Sequence, residues 1–274
     1  MTKKGFIDEI TEVLKNCRKS SPYAYVSPDN EAEFFAPAAS QGQPEPEYRP
    51  QPARPERTPR PAAQPMRGQN EYVPQPPTTA KAPQADFSAL SLEELAGVAK
   101  GCTACRLHGG RTNVVFGDGA ANAELMFIGE GPGQDEDLQG RPFVGLAGQL
   151  LDKMITAMQF NRGEVYIANI VKCRPPDNRN PHPDEAAACL PYLERQIELI
   201  RPRVIVVLGS VPLEFLMRQK GIRKLRGQWL EYHGIPVMPT YHPAYLLRYP
   251  EAKKEVWADL QQVMKVFGKV HTKQ

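Results

Sequence analysis

The sequence has no apolar run of about 18 residues free of charged side chains, which excludes an ordinary membrane-spanning helix. Its first residues, MTKKGFIDEITEVLKN, also lack the apolar stretch and the small-residue cleavage site of a secretory signal. Cysteine is scarce, with 5 in 274 residues. We therefore expect a cytoplasmic protein without a membrane partner, in which reduced cysteines act as ligands or nucleophiles rather than in disulfides.

An excess of one charge is also missing, because the formal net charge is only +3. This balance permits a nucleic-acid partner but does not indicate one, so such a partner must be argued from particular residues. Hydrophobic residues make up 41% of the chain, which is enough for a core, and the length suggests one or two domains.

The composition changes sharply near residue 86. Residues 1–19 have apolar side chains at helical spacing and predict a short amphipathic helix. Residues 20–87 are dominated by a segment rich in Pro, Gln, Ala and Arg, which predicts a disordered linker because it cannot bury enough apolar surface. The linker is either a plain spacer or a tether that presents the helix to a protein partner. Residues 88–274 are expected to form one globular, monomeric domain.

Four short runs rich in Val and Ile follow, and three are nearly continuous, as in strands buried on both faces. Helical patterns lie between and after them. The strands are predicted at 124–130, 165–172, 203–210 and 236–242, and the helices at 145–160, 184–200, 211–218 and 251–267. This alternation predicts a three-layer α/β/α fold around a central four-stranded parallel sheet, preceded by the disordered Pro-rich region.

Two local signals concern helix ends and interruptions. Ser91 followed by Glu94 predicts a capping box that opens a helix leading to Cys102. Pro191 falls inside the second helical pattern, where it is expected to kink or split the helix because proline lacks a backbone N–H.

The most unusual residues follow the predicted strands. The first strand ends in Gly-Glu-Gly-Pro-Gly (129–133), the second leads through Asn169 to Cys173, and the fourth ends at His242. Ligand sites of parallel α/β sheets form outside the carboxyl ends of the strands. These segments, remote in sequence, are therefore expected to converge.

Four cysteines form a possible metal site: Cys102, Cys105, Cys173 and Cys189. The first two form a C-x-x-C pair, which alone fits a redox dithiol, a zinc half-site or a cluster half-site. The strand and helix of a thioredoxin-like unit are absent around it. The spacing leaves an iron–sulfur cluster, a zinc ion and no metal all open.

The chain closely resembles the thermophile-type, iron–sulfur-containing (family 4) uracil-DNA glycosylases in four ordered segments: GEGPGQDED, GRPFVGLAGQLLD, NIVKCRPPDNRNPHPDE and YHPAYLLR. The resemblance runs from about Cys102 to Phe267. It implies a structural [4Fe–4S] cluster on the four cysteines. It also implies hydrolysis of the N-glycosidic bond of deoxyuridine in single- or double-stranded DNA, which releases uracil and leaves an abasic site for base excision repair.

The resemblance assigns three residues to the base. Phe143 would stack on the uracil face, and Asn169 would read the uracil edge, because an amide offers one donor and one acceptor. His242 would donate a hydrogen bond to O2 as negative charge develops on the departing base. Taken alone, these residues could equally be core, turn and structural residues.

The glycine-rich loop would bring main-chain atoms of Gly131 and Gly133 close to the extruded nucleotide. It lacks the features of a P-loop or a dinucleotide loop. Glu130 would line the pocket and is assigned a catalytic role. Glu130, Glu136 and Asn169 are all candidates for orienting the attacking water, and Glu136 is also assigned to substrate binding.

The segment after the histidine resembles a loop that wedges an apolar side chain into DNA. Leu246 or Leu247 would be the wedge, and Arg248 would hold a phosphate. Alternatively, both leucines simply face the core. Further phosphate contacts could come from Arg174, Arg179, Arg223, Lys224 and Arg226, or these could be a solvated surface.

Two other functions compete with a glycosylase. One is a non-enzymatic nucleic-acid binding module with a redox-responsive cluster. The other is a relative that traps uracil-DNA covalently, which is associated with a basic, histidine-containing loop not seen in this sequence. No lysine stands out as a Schiff-base nucleophile, so strand cleavage is not expected.

Overall fold

The structure is a computed structural model that describes residues 87–269. The predicted helix at 1–19 and, apart from Phe87, the predicted linker at 20–87 lie outside the described residues. The helices are α1 (Leu92–Lys100), α2 (Gln134–Gln139), α3 (Leu146–Ala157), α4 (Pro183–Ile200), α5 (Ser210–Phe215), α6 (Ile222–Leu225), α7 (Pro243–Arg248) and α8 (Lys253–Val266). The strands are β1 (Asp118–Gly119), β2 (Leu125–Gly129), β3 (Tyr166–Asn169), β4 (Val204–Leu208), β5 (Leu230–Tyr232) and β6 (Ile235–Thr240). In this range no helix combines the length and apolar content that a membrane crossing requires.

The sheet corrects the predicted architecture. Within the described residues it has six strands in the order β1-β3-β2-β4-β6-β5, and it is mixed. The four predicted strands pair in parallel in the middle, while β1 and β5 add antiparallel edges. The prediction of a four-stranded, wholly parallel sheet is therefore wrong. The edge strands have 2 and 3 residues, too few for an alternating apolar pattern to reveal them.

The central strands are covered on both faces. Along β2, Leu125 and Phe127 pack into a core cluster with α3, α7 and α8. Met126 and Ile128 point the other way, into a second cluster with α1, α4 and α5. Because successive side chains of a strand point to opposite faces, a strand covered on both sides must be apolar throughout, which explains the continuous Val and Ile runs.

The two local helix signals have different outcomes. The capping box is confirmed, because Ser91 Oγ accepts from the Glu94 N–H while the Ser91 N–H donates to the Glu94 carboxylate. By contrast, α4 runs unbroken through Pro191, so a split at that residue is wrong. Leu190, Tyr192 and Leu193 are buried around the proline, and their packing holds the helix together despite the missing N–H.

Candidate active site

A cavity of about 600 Å³ opens at the carboxyl ends of the parallel strands. It brings together the residues that sequence reasoning assigned to base recognition and catalysis, although they are far apart in the chain. Its lining includes Glu130, Gly131, Gly133, Glu136, Phe143, Asn169, His242 and Arg248. The parallel order of the strands causes this convergence, because β2, β3 and β6 all end at the same edge.

Glycines allow the cavity wall to close tightly around two side chains. A Cβ on Gly129 would lie 2.5 Å from Asn169 Oδ1 and 2.6 Å from Phe143 Cζ, so a larger residue would displace both. A Cβ on Gly148 would lie 2.1 Å from the Phe143 main chain. Phe143 itself has a positive φ of 52°, a backbone conformation that L residues rarely adopt. The surroundings therefore hold Phe143 in one strained orientation beside Asn169.

Asn169 ends β3 with its side chain facing the cavity. The side chain is almost fully buried, at 2% exposure, and its Oδ1 has no hydrogen-bond partner among the described residues. An unpartnered buried acceptor costs about 1–3 kcal/mol, and buried polar atoms in native proteins usually have a partner. The amide is therefore suited to a ligand that brings its own donor.

His242 caps the first turn of α7. Its Nδ1 accepts a 3.1 Å hydrogen bond from the Ala244 N–H, so in the neutral ring the proton lies on Nε2. Burial lowers the pKa of His242 to about 4, which keeps the ring neutral at physiological pH. Its ring centroid lies 5.5 Å from that of Phe143. The geometry thus provides a neutral Nε2–H donor in the same cavity as the Asn169 amide.

Glu136 lines the cavity, and its carboxylate also binds main-chain groups. Its Oε2 accepts from the Gly133 N–H at 3.0 Å, and its Oε1 accepts from the N–H groups of Val144 and Gly145 at 2.9 and 3.0 Å. Both oxygens are thus engaged with main-chain donors. The carboxylate joins the glycine-rich loop to the segment that carries Phe143, so it braces the cavity, which sequence reasoning missed. The Gly-x-x-Glu spacing at 133–136 was the available signal.

Glu130 is the second carboxylate that lines the cavity. It directly follows β2, is half-buried, and lines the cavity. Burial raises the pKa of its carboxyl above the ordinary value. The next residue, Gly131, has no room for a side chain, since a Cβ there would lie 2.7 Å from Val171 Cγ2.

The two leucines of α7 differ in their exposure to solvent. Leu246 is fully buried in the core cluster below the sheet edge, so the wedge assignment cannot stay with it. Leu247 is 39% exposed, and the next residue, Arg248, is exposed at the rim of the cavity. Adjacent positions of a helix point about 100° apart, which is why one leucine faces inward and the other outward.

Some of the basic residues near the cavity form ion pairs with buried carboxylates, whereas others are exposed. Arg179 forms a bidentate ion pair with the buried Glu185, and Arg226 pairs with the buried Asp259 at 2.7 Å, so both are structural. Arg223 is exposed and lines the cavity. Arg174 hydrogen-bonds to Asn178, and Lys224 is exposed.

The four cysteines surround a second, small cavity between the end of α1 and the side of α4: Cys102, Cys105, Cys173 and Cys189. All four are free thiols, and N–H donors reach two of them, from Arg111 to Cys173 Sγ and from the Lys172 main chain to Cys189 Sγ, both at 3.3 Å. Among the described residues no three His, Cys, Asp or Glu side chains meet closely enough for one metal ion. The four cysteines thus offer four sulfur ligands around a single cavity.

Lys172 connects the two cavities, and sequence reasoning did not identify it. Its side chain is fully buried, and its Nζ donates to the Asn169 main-chain oxygen at 2.9 Å and to Gln196 Oε1 at 2.6 Å. Gln196 in turn donates to the Phe116 main-chain oxygen and to the Tyr166 hydroxyl. A continuous polar network thus runs beneath β3.

Comparison with known proteins agrees with this arrangement. The family model described as the uracil DNA glycosylase superfamily matches residues 116–261, which contain the sheet and all the residues that line the cavity. The Type-4 uracil-DNA glycosylase of Thermotoga maritima is 52% identical over 152 residues, which cover 54% of this chain and 79% of the relative. Those of Saccharolobus solfataricus and Archaeoglobus fulgidus are 45% and 40% identical, over 63% and 65% of this chain and 85% and 94% of the relatives. The chain therefore belongs to the type-4 uracil-DNA glycosylases, and the family resemblance noted in the sequence is confirmed.

Proposed function

We propose that this protein is a monofunctional DNA-repair glycosylase that hydrolyses the N-glycosidic bond of deoxyuridine in DNA. One observation carries the proposal: a cavity at the sheet edge holds an aromatic ring, an amide acceptor that no described residue satisfies, and a neutral imidazole donor. Membership of the type-4 family supports the same substrate.

Base recognition follows from Phe143 and Asn169. The Phe143 ring offers a stacking surface for a pyrimidine, worth roughly 1–3 kcal/mol and insensitive to base identity. The Asn169 amide supplies selectivity, because Oδ1 accepts from uracil N3–H while Nδ2 donates to O4. Cytosine has an acceptor at N3 and a donor at the exocyclic position, so it meets the amide with both polarities reversed.

Bond cleavage follows from His242 and Glu130. As the C1′–N1 bond breaks, its electron pair stays with uracil, and negative charge develops on O2. This oxygen accepts a hydrogen bond from His242 Nε2–H. A preorganised donor of this kind contributes about 3–4 kcal/mol to transition-state stabilisation. Water adds to C1′ and loses a proton, for which the Glu130 carboxylate is the proposed acceptor, since both Glu136 oxygens already bind main-chain donors.

The last residues of α7, Leu247 and Arg248, are suited to contacting DNA. Extruding a base from a duplex costs a few kcal/mol. We assign Leu247 to fill the space that the base leaves, and Arg248 to contact a phosphate, because both are exposed and Arg248 lines the cavity. Arg223 is the further candidate for a phosphate contact.

We also propose that Cys102, Cys105, Cys173 and Cys189 hold a [4Fe–4S] cluster. When bound, the cluster would tie the loops around α1 and α4 together, without supplying a group to the reaction. A cytoplasmic location suits this proposal, because thiolate ligands persist there in the reduced form. Cys173→Ser is expected to abolish the broad visible absorption of the purified protein and to lower its solubility.

Release of free uracil tests the proposed activity directly. The wild-type protein should release uracil from single- or double-stranded oligonucleotides that contain deoxyuridine, and release nothing when deoxycytidine replaces it. His242→Ala should lower the rate by about 10²–10³-fold while keeping the visible absorption. No release from either substrate would contradict the proposal, and tight binding without release would favour a non-enzymatic module. An adduct stable in SDS would instead indicate covalent trapping.

A further inference from the structure

Three tyrosine rings form a stack that leads from the cavity to the surface. Tyr241 and Tyr245 line the cavity, and their ring centroids lie 4.7 Å apart. Tyr249 continues the series, with its ring centroid 4.7 Å from that of Tyr245. The interplanar angles are 36° and 35°, so each ring presents much of its face to the next.

At the inner end of this tyrosine stack the Tyr241 ring is covered, whereas at the outer end the Tyr249 ring is exposed. The guanidinium of Arg226 lies over the Tyr241 ring at 5.4 Å, and Asp259 holds that guanidinium in place. Tyr249 is 47% exposed, and among the described residues no further ring packs on its outer side. An exposed aromatic ring at the end of a stack is a favourable surface for another planar ring.

The backbone holds Tyr249 firmly although its ring is exposed. Its N–H donates to the Tyr245 oxygen at 2.9 Å, and its own oxygen accepts from the Ala252 N–H at 3.1 Å. The residue thus ends α7 and begins the 3₁₀ turn Pro250–Ala252. With its main chain held in this way and its ring packed on Tyr245, the side chain loses less freedom when a ligand stacks on it.

The chemistry around Tyr249 indicates the kind of ligand. Arg248 precedes it and is exposed, Arg223 is exposed at the cavity, and Leu247 adds an exposed apolar side chain on the same short helix. An exposed arginine next to an exposed aromatic ring matches a chain that alternates phosphates and bases.

We propose that Tyr249 is a stacking platform for a nucleobase next to the extruded uracil, and that it favours single-stranded DNA. This inference rests on the proposed function for the identity of the base in the cavity. In a duplex the neighbouring bases remain stacked and paired, so they cannot turn onto Tyr249. In a single strand they are free to do so, and the ring then adds affinity for that substrate alone.

The proposal is tested with Tyr249→Ala, Tyr249→Phe and the control Val98→Ala, which also trims an exposed apolar side chain, on α1. Binding to single- and double-stranded oligonucleotides with a tetrahydrofuran abasic analogue is measured by anisotropy, and uracil release is measured alongside. Tyr249→Ala should weaken single-strand binding by about tenfold and raise KM for single-stranded substrate similarly, with less than about a twofold effect on duplex. Tyr249→Phe and Val98→Ala should behave like wild type.

Two results would overturn the platform. One is unchanged single-strand binding by Tyr249→Ala, and the other is an equal loss on single- and double-stranded DNA. Unfolding midpoints and visible absorption identify a variant that has merely lost its fold, in which case Tyr249→Phe against Tyr249→Leu gives the same comparison. If wild type releases no uracil, the proposed function fails, yet the binding comparison still decides the role of Tyr249.

Discussion

The buried ammonium group of Lys172 donates a hydrogen bond of 2.9 Å to the main-chain oxygen of Asn169. The same residue follows Asn169 by three positions and directly precedes Cys173, so one short segment contributes to both cavities. The main-chain N–H of Lys172 also donates to Cys189 Sγ. The position of the Asn169 amide and the positions of the cysteines are therefore linked through Lys172.

Replacing Lys172 tests this link. Lys172→Met leaves the Asn169 oxygen and Gln196 Oε1 without their buried donor, at a cost of about 1–3 kcal/mol for each acceptor. We expect a lower free energy of unfolding in denaturant titrations and slower uracil release. Lys254→Met, at an exposed lysine of α8, is the matched control. Equal behaviour of the two variants would show that the link has no energetic role.

The low pKa of His242 predicts how stability changes with pH. Burial lowers the pKa from 6.5 to about 4, so the folded protein binds fewer protons at this site than the unfolded chain between those values. The contribution of the neutral His242 ring to the free energy of unfolding is fully present above pH 6.5 and is lost as the pH falls through about 4. Urea midpoints of wild type should therefore fall more across this range than those of His242→Gln. Parallel pH curves for the two proteins would contradict the assignment of a buried neutral ring.

Removing the Glu136 brace should loosen the cavity without unfolding the domain. Glu136→Ala frees the N–H groups of Gly133, Val144 and Gly145, so Phe143 is no longer held against the base. A misplacement of this kind lowers kcat/KM by up to about a hundredfold. Gln134→Ala, on the exposed side of the same helix turn, should leave the kinetics unchanged. Wild-type kinetics in Glu136→Ala would show that the Phe143 segment holds its shape alone.

Gly129 offers a steric test of the same cavity. In Gly129→Ala the new methyl group would overlap both Asn169 Oδ1 and Phe143 Cζ. Overpacking of this type costs about 1–3 kcal/mol, and here it also moves the two groups that hold the base. Uracil release should therefore fall, and a loss of about 1.4 kcal/mol in transition-state stabilisation would lower the rate about tenfold. Gly163→Ala, which meets nothing within 4 Å, is the control, and equal rates would disprove the close contact.

Sequence patterns predicted the central strands because continuous Val and Ile runs have few alternatives to burial on both faces. They missed β1 and β5, because strands of 2 and 3 residues are too short to show a pattern. They also could not separate Leu246 from Leu247, because two adjacent leucines look alike until packing assigns one to the core.

The cavity residues were found through motifs, whereas the main-chain contacts that support them were not. Glu136 and Lys172 act on main-chain N–H and C=O groups, which every residue has and no pattern distinguishes. Arg179 and Arg226 were candidates for DNA contacts because charge alone does not show that each forms an ion pair with a buried carboxylate. Contacts of this kind need coordinates, since they join segments remote in sequence.

A crystal structure of the wild-type protein with free uracil tests the central claim most directly. The account predicts the ring within the cavity, stacked on Phe143, with N3 and O4 at hydrogen-bond distance from the Asn169 amide and O2 near His242 Nε2. Uracil bound elsewhere, or bound with its N3–O4 edge facing away from Asn169, would contradict the account.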